Sequence, residues 1–139
     1  MNTIILATDG SSHSDAAARY LVESPLLNRN FTVHVLHCEA DVTGDVKTFI
    51  GQADIDAWHH EESGKAMKSV IDILSAGNVS FERHELTGHT PDKIVAHAIK
   101  VGASVIVMGS HHRAPFLDAL LGSVCARVVA HAPCPVLLV

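Results

Sequence analysis

The sequence predicts an α/β fold: an open parallel β-sheet with helices on both faces. Short apolar runs rich in β-branched residues alternate along the chain with segments whose apolar residues recur at helical spacing. The run at residues 103–108 is apolar on both faces, which is typical of a strand buried between helix layers. Hydrophobic residues make up 47% of the chain and aromatic residues 4%, so the core is expected to consist of Val, Ile, Leu and Ala.

The first half of the chain predicts two strands and two helices. Residues 3–8 predict a strand, and Ser11, Ser12 and Ser14 are candidates for the cap of the helix that follows. Residues 31–38 predict the second strand. Glycines interrupt any regular spacing of apolar residues in residues 39–56, so we expect a loop there with at most a short helix. The apolar residues of positions 57–75 recur at helical spacing and predict a helix.

The second half continues the alternation. Residues 79–86 predict a partly exposed third strand, and Pro91 begins a helix as a first-turn proline. Residues 103–108 predict the fourth strand, residues 123–131 a helix and residues 135–139 a fifth strand. The inward face of the helix after Pro91 is expected to carry Ile94, Val95, Ala98 and Ile99. Strands and helices in this order form βαβ units with right-handed crossovers.

Length and charge limit the classes of function. A chain of 139 residues is expected to form a single domain over residues 1–139. The formal net charge of −5, without a Lys/Arg stripe, argues against nucleic acid or an anionic membrane as the main partner. The sequence shows neither a basic signal-peptide start nor a spanning apolar segment, so we expect a cytoplasmic protein.

The cysteines and histidines do not predict a disulfide or a metal site. The three cysteines are odd in number and lack Cys-x-x-Cys spacing, which favours small buried side chains over a disulfide framework. The adjacent histidine pairs His59-His60 and His111-His112 point apart on either a helix or a strand. No His-x-x-x-His or His-Glu-x-x-His pair occurs, so we expect no metal ligands.

Two Gly-Ser pairs, Gly109-Ser110 and Gly122-Ser123, join the fourth strand to the last helix. Gly109 has no Cβ to keep a ligand from the backbone, and Gly122-Ser123 precedes a helix whose free N–H groups favour negative charge. The pattern therefore predicts a phosphate site. The alternative is that Gly109 is a strand-end turn and Ser123 only an N-cap.

These residues resemble the nucleotide loop of the universal stress protein family, which reads Gly, two residues, Gly, nine residues, Gly, then Ser or Thr. Gly109, Gly122 and Ser123 match the first, third and fourth positions, whereas His112 replaces the second glycine. The resemblance covers the whole chain. It includes the opening Ile-Leu-Ala-Thr-Asp-Gly-Ser, the turn Gly-His-Thr-Pro and the ending Ala-Pro-Cys-Pro-Val-Leu-Leu-Val.

The resemblance implies a Rossmann-like sheet of order 3-2-1-4-5, as in adenine nucleotide alpha hydrolase-like proteins. It also implies a stress-response module that binds ATP or another adenine nucleotide, with Mg²⁺ accompanying ATP, in the crevice between Asp9 and the loop from Gly109 to Ser123. By resemblance Asp9 contacts adenine, the backbone of Cys38 contacts the base, and the glycines and Ser123 hold the phosphates. The complete expected nucleotide site comprises Ala7, Thr8, Asp9, Cys38, Met108, Gly109, His112, Arg113, Gly122, Ser123 and Val124.

Several alternatives remain at this point. Asp9 could instead be a turn carboxylate that caps the next helix, and Arg113 could be either a phosphate ligand or a solvated loop charge. The fold could serve as an interaction module without nucleotide, as in family members that lack the glycine pattern. A slow ATP hydrolase is a third possibility, for which the sequence offers only Asp118, His111 and His112 as bases. No catalytic residue can be named from the sequence. An enzyme is therefore not expected.

The chain ends in the apolar run Val136-Leu137-Leu138-Val139. A terminal strand at a sheet edge would leave backbone groups unpaired and apolar side chains in water. Pairing of two such strands about a two-fold axis satisfies both needs. We therefore expect a homodimer through this strand, and the resemblance implies the same; the alternative is a monomer with a covered edge.

Overall fold

The computed structural model describes residues 2–40, 50–110 and 117–139, with side chains in the last range from residue 122 onward. Strands and helices alternate as the sequence predicts. In chain order they are β1 (Asn2–Ala7), α1 (Ser12–Glu23), β2 (Phe31–Glu39), α2 (Gln52–Ala76), β3 (Phe81–Thr87), α3 (Thr90–Val101), β4 (Val105–Met108), α4 (Leu117–His131) and β5 (Val136–Leu138).

The five strands form one parallel sheet of order β3-β2-β1-β4-β5, which confirms the predicted fold class. Ala7 at the end of β1 pairs with Leu36 on one side and with Met108 on the other. The chain leaves β1 toward β2 and leaves β4 toward β5, so the two crossovers depart in opposite directions. Such a divergence opens a crevice beyond the carboxyl ends of the two central strands.

Two apolar layers cover the sheet. Helices α1 and α2 pack on one face, where Leu21 and Met67 are almost fully buried against Leu6 and Val33. Helices α3 and α4 pack on the other face through residues that include Ile94 and Val128. The side chains of β5 are divided between the two layers and are partly buried. The apolar side chains of the last strand are therefore partly covered within the chain itself.

The structure corrects three details of the sequence-based assignment. Helix α2 begins at Gln52 rather than at residue 57, because Ile55 adds a further buried turn; the rest of the expected loop, residues 41–49, lies outside the described residues. Helix α4 begins at Leu117 rather than at residue 123, with Gly122 as a kink inside it. On α3 the inward face carries His97, whereas Ile99 is 64% exposed.

In the part of the chain that the structure describes, no helix is both long and apolar enough to cross a membrane.

Candidate functional site

A cavity of about 400 Å³ lies beyond the carboxyl ends of β1, β2 and β4. Its walls come from six parts of the fold: the end of β1 with the loop after it, the first turn of α1, the end of β2, the first turns of α3, the end of β4 and the second half of α4. This volume is within the usual range of small-molecule sites, about 300–1,000 Å³. The cavity therefore lies at the crevice that the sheet topology predicts.

The loop after β1 is fixed by its own hydrogen bonds. Asp9 Oδ1 accepts the Ser11 backbone N–H at 2.9 Å and the Ser14 hydroxyl at 2.9 Å. Ser14 Oγ also accepts the Asp9 backbone N–H at 3.2 Å. Gly10 follows with φ +83°, a left-handed conformation that favours glycine. The loop thus holds the Asp9 carboxylate at the cavity wall in a defined position.

The Asp9 carboxyl group is ionised at neutral pH. Partial burial raises its pKa, but the hydrogen bonds from Ser11 and Ser14 lower it more, so that the net pKa lies below the ordinary value. Asp9 is therefore also a turn carboxylate that binds the start of the next helix, as the alternative interpretation predicted. Both hydrogen bonds end on Oδ1, so neither of them occupies Oδ2.

The end of β2 forms one wall of the cavity. The sequence predicted only Cys38 of this wall, and the structure adds His37. His37 lines the cavity and is 7% exposed. One ring nitrogen, Nδ1, lies 2.9 Å from Ser63 Oγ of α2, and Nε2 lies 3.4 Å from Glu39 Oε1. Ser63 of α2 and Glu39 of β2 therefore contact the two ring nitrogens of His37, and the ring forms part of the cavity wall.

Gly109, directly after β4, is required for close packing. A Cβ built at this position would lie 2.3 Å from both the carbonyl carbon and the oxygen of His13, in the first turn of α1. Those are backbone atoms, which cannot move aside as a flexible side chain would. The sequence predicted a glycine that admits a ligand, and the structure shows that it also admits the neighbouring helix.

The first Gly-Ser pair does not present both of its N–H groups to the cavity. The Ser110 backbone N–H donates to Val139 O at 2.8 Å, and its hydroxyl donates to the same oxygen at 3.0 Å. Ser110 is 5% exposed and is absent from the cavity lining. The expectation that each pair offers N–H groups to an anion is therefore wrong for Ser110, which anchors the C-terminal residue instead.

The second Gly-Ser pair does face the cavity. Gly122 has φ 69° and ψ 166°, which breaks the helical path, and Ser123, Val124 and Cys125 begin the second half of α4. All four residues line the cavity. Unpaired N–H groups and the positive end of the helix dipole are concentrated at such a helix start.

Cys38 and Cys125 line the same cavity, and Cys134 lies elsewhere; all three are free. Burial raises the pKa of each thiol above its ordinary value. The groups are therefore neutral thiols at physiological pH, which makes them poor nucleophiles.

The structure brings together nine of the eleven residues predicted for the site. The other two, His112 and Arg113, lie outside the described residues. The nine that line the cavity are Ala7, Thr8, Asp9, Cys38, Met108, Gly109, Gly122, Ser123 and Val124. The lining residues that the sequence did not predict are Ser11, His13, Ser14, Leu36, His37, Thr90, Ile94 and Cys125.

A doubly wound parallel sheet with a cavity at its switch point defines a class of α/β proteins that hold a ligand beyond the strand ends. The family model for the universal stress protein family matches residues 1–139, so the chain belongs to the universal stress protein family. A universal stress protein of Methanocaldococcus jannaschii is 32% identical over 142 residues, covering 98% of this chain and 80% of the relative. The chain spans about half the length of the mycobacterial universal stress proteins that it also matches.

Solved structures show the same fold. The structure of the hypothetical protein MJ0577 matches with a TM-score of 0.78 and 25% identity, covering 99% of this chain and 94% of that one. The universal stress protein from Archaeoglobus fulgidus in complex with dAMP matches with a TM-score of 0.70 and 26% identity, covering 99% and 96% of the two chains.

Proposed function

We propose that this chain is a cytoplasmic stress-response module that binds ATP or a related adenine nucleotide in the cavity between Asp9 and the start of the second half of α4. The observation that carries the proposal is the placement of a carboxylate at one wall of a single cavity and a Gly-Ser helix start at another. The cytoplasmic location is supported by the three free cysteines, which are typical of a reducing compartment.

The Asp9 wall suits the base of the nucleotide. A carboxylate accepts hydrogen bonds and would repel a phosphate, so the exocyclic amine of adenine is its natural partner. The same carboxylate would repel the carbonyl oxygen at the equivalent position of guanine. Leu36 and Ile94 add apolar surface to the lining, against which a planar base can pack.

The α4 wall suits the phosphates. The Ser123 hydroxyl and the N–H groups after Gly122 are donors at a helix start, where negative charge is favoured by roughly 0.3–1 kcal/mol and more when partly buried. Mg²⁺ would enter with the phosphates of ATP. Asp9 is the one carboxylate among the described lining residues, and its Oδ1 already accepts hydrogen bonds from Ser11 and Ser14. The ion would therefore be held mainly by the phosphates.

Ser123 and Ser110 provide a matched pair for a test, since each follows a glycine but only Ser123 lines the cavity. Ser123→Ala should weaken ATP binding by roughly 10-fold or more, because a hydrogen bond to a charged group contributes about 1.5–3 kcal/mol. Ser110→Ala should leave the Kd for ATP within about twofold of wild type. Equilibrium dialysis with labelled ATP measures both, and equal weakening by the two substitutions would contradict the assignment of Ser123.

The same experiment on the wild-type protein separates the rival functions. The proposal predicts one ATP bound per chain and no ADP formed above background. Absence of binding up to millimolar ATP would favour the interaction module without nucleotide, in line with His112 at the second glycine position. Formation of ADP that follows the protein concentration would favour the slow hydrolase.

We further propose that the protein is a homodimer through the outer edge of β5. Among the described strands, β5 pairs with β4, so its other edge is available for an antiparallel copy of itself. Because the side chains of β5 already pack within the chain, backbone hydrogen bonds would contribute most to this contact.

Sedimentation velocity at micromolar protein tests the dimer. The expected mass is twice the 14.8 kDa of one chain. Deletion of residues 137–139 should give a monomer or an insoluble chain, since it removes both the edge and the Val139 oxygen that Ser110 binds. A full-length protein that sediments as a monomer at micromolar concentration would rule out this dimer.

A further inference from the structure

Three histidines from three different elements meet on the face of the sheet that α3 covers. His34 lies in the middle of β2, His84 lies on the edge strand β3, and His97 lies on the inward face of α3. His34 and His97 are 9% and 8% exposed. None of the three lines the nucleotide cavity, which begins further along β2 at Leu36.

The three rings form a compact group. Nδ1 of His34 lies 3.1 Å from Nε2 of His97, and the His84 ring stacks on that of His34 with centroids 4.6 Å apart. The centroids of His84 and His97 are 4.5 Å apart. One nitrogen from each residue lies within 4.8 Å of the other two. The three nitrogens therefore lie close enough together to share one ion after a modest adjustment of the rings.

A carboxylate stands behind the histidines. Glu82, two residues before His84 on the same face of β3, places Oε2 at 3.2 Å from Nε2 of His34 and at 3.2 Å from Nε2 of His84. A histidine that binds a metal through one nitrogen commonly donates its other N–H to a carboxylate, which fixes the tautomer and makes the ring more basic. Glu82 is placed for that role toward His34.

Two of the three rings, those of His34 and His97, lie in surroundings that disfavour the charged form. Burial, with repulsion from the neighbouring histidines, lowers the pKa of His97 to about 4 and lowers the pKa of His34 as well. Neutral imidazole keeps a nitrogen lone pair, which is the form that coordinates a metal.

We propose that His34, His84 and His97 bind one divalent transition-metal ion, with Zn²⁺ as the expected occupant. Three imidazoles are a donor set that suits Zn²⁺ and disfavours Mg²⁺ and Ca²⁺, which prefer oxygen ligands. His34 contributes Nδ1 to the ion and donates Nε2–H to Glu82. Water completes the tetrahedral set at the fourth position.

One of the observed distances is already close to the separation that the ion requires. A Zn–N distance of about 2.0–2.1 Å with tetrahedral angles places ligand nitrogens about 3.3 Å apart. The pair His34 and His97 already lies at 3.1 Å. The three nitrogens span up to 4.8 Å, so binding requires the rings to approach one another by up to about 1.5 Å.

The test uses untagged, chelator-treated protein without nucleotide, titrated with Zn²⁺ by calorimetry and with Co²⁺ by visible spectroscopy. We expect one Zn²⁺ per chain and a Co²⁺ spectrum with the intense bands of four- or five-coordinate cobalt. His84→Ala should weaken Zn²⁺ binding by about 100-fold or more, since even the loss of an outer-shell partner costs about 10–100-fold. Zn²⁺ should also raise the melting temperature of wild type and not that of the variant.

His60→Ala is the matched control, because His60 also pairs with a carboxylate, Glu85, but lies on the surface of α2 outside the cluster. Its Zn²⁺ affinity should equal that of wild type. Thermal unfolding with chelator shows whether His84→Ala is folded, and the Co²⁺ spectrum of wild type gives a result that does not depend on any variant. Weak octahedral bands, or equal Zn²⁺ affinity in wild type and His84→Ala, would overturn the proposal.

Discussion

Substitution of Gly109 by alanine should lower the free energy of unfolding by about 3 kcal/mol and abolish ATP binding. The new methyl carbon would lie 2.3 Å from two backbone atoms of His13, so β4 and the first turn of α1 must move apart. Overpacking of this kind costs typically about 1–3 kcal/mol, and more when only backbone can yield. Because both segments line the cavity, the displacement also changes the site. Urea unfolding and equilibrium dialysis measure the two effects.

Gly64→Ala is the control for that experiment. Gly64 lies within α2, and a Cβ there would meet only the end of the Arg83 side chain, at 3.8 Å. The same substitution should therefore stabilise the protein by about 0.5–1 kcal/mol, through helix propensity alone. If Gly109→Ala were as stable as wild type, the close contact with His13 would not be present in the protein.

Substitution of Asp9 by asparagine should lower the preference for ATP over GTP by roughly 100-fold. The side-chain amide keeps one oxygen for the Ser11 N–H and the Ser14 hydroxyl, and so preserves the loop. Its NH₂ group then faces the ligand in place of Oδ2. It repels the adenine amine and donates to the guanine carbonyl, so that one charge-assisted hydrogen bond of about 1.5–3 kcal/mol is lost for ATP and a new bond is gained for GTP.

Asp15→Asn makes the same chemical change outside the cavity. Asp15 accepts the Ser69 hydroxyl at 2.6 Å and links α1 to α2. Its substitution should leave the ATP-to-GTP ratio of Kd values unchanged. Competition dialysis with both nucleotides gives the ratio for each protein, and an unchanged ratio in Asp9→Asn would remove Asp9 from the base site.

The sequence predicted the strand order only through a family resemblance, but it predicted the elements from local patterns. The buried strands were found because β-branched residues fill both of their faces, as at residues 103–108. The start of α2 was missed, since the polar residues around Ile55 gave no clear period. The inward position of His97 was missed for a related reason. Hydropathy alone favours Ile99 for the core, whereas the angular position on α3 places the histidine there.

The parts of the site that could not be predicted depend on contacts between distant segments. Nothing near Ser110 in the sequence indicates that it binds Val139, and nothing near Gly109 indicates its contact with His13. The histidine cluster has the same origin: His34 and His97 are 63 positions apart, so no local ligand spacing could reveal them. Local patterns identify candidate residues, and the fold decides which of them meet.

The most direct test of the proposed nucleotide site is a titration of ¹⁵N-labelled protein with ATP, followed by backbone amide chemical shifts. If ATP binds in the cavity, the largest shifts should belong to the amides of residues that line it, namely Asp9, Cys38, Gly109, Gly122 and Ser123. Three glycines that are absent from the cavity lining, Gly51, Gly64 and Gly102, should show no change. A spectrum unchanged at millimolar ATP, or shifts confined to residues outside the cavity, would contradict the proposed nucleotide site.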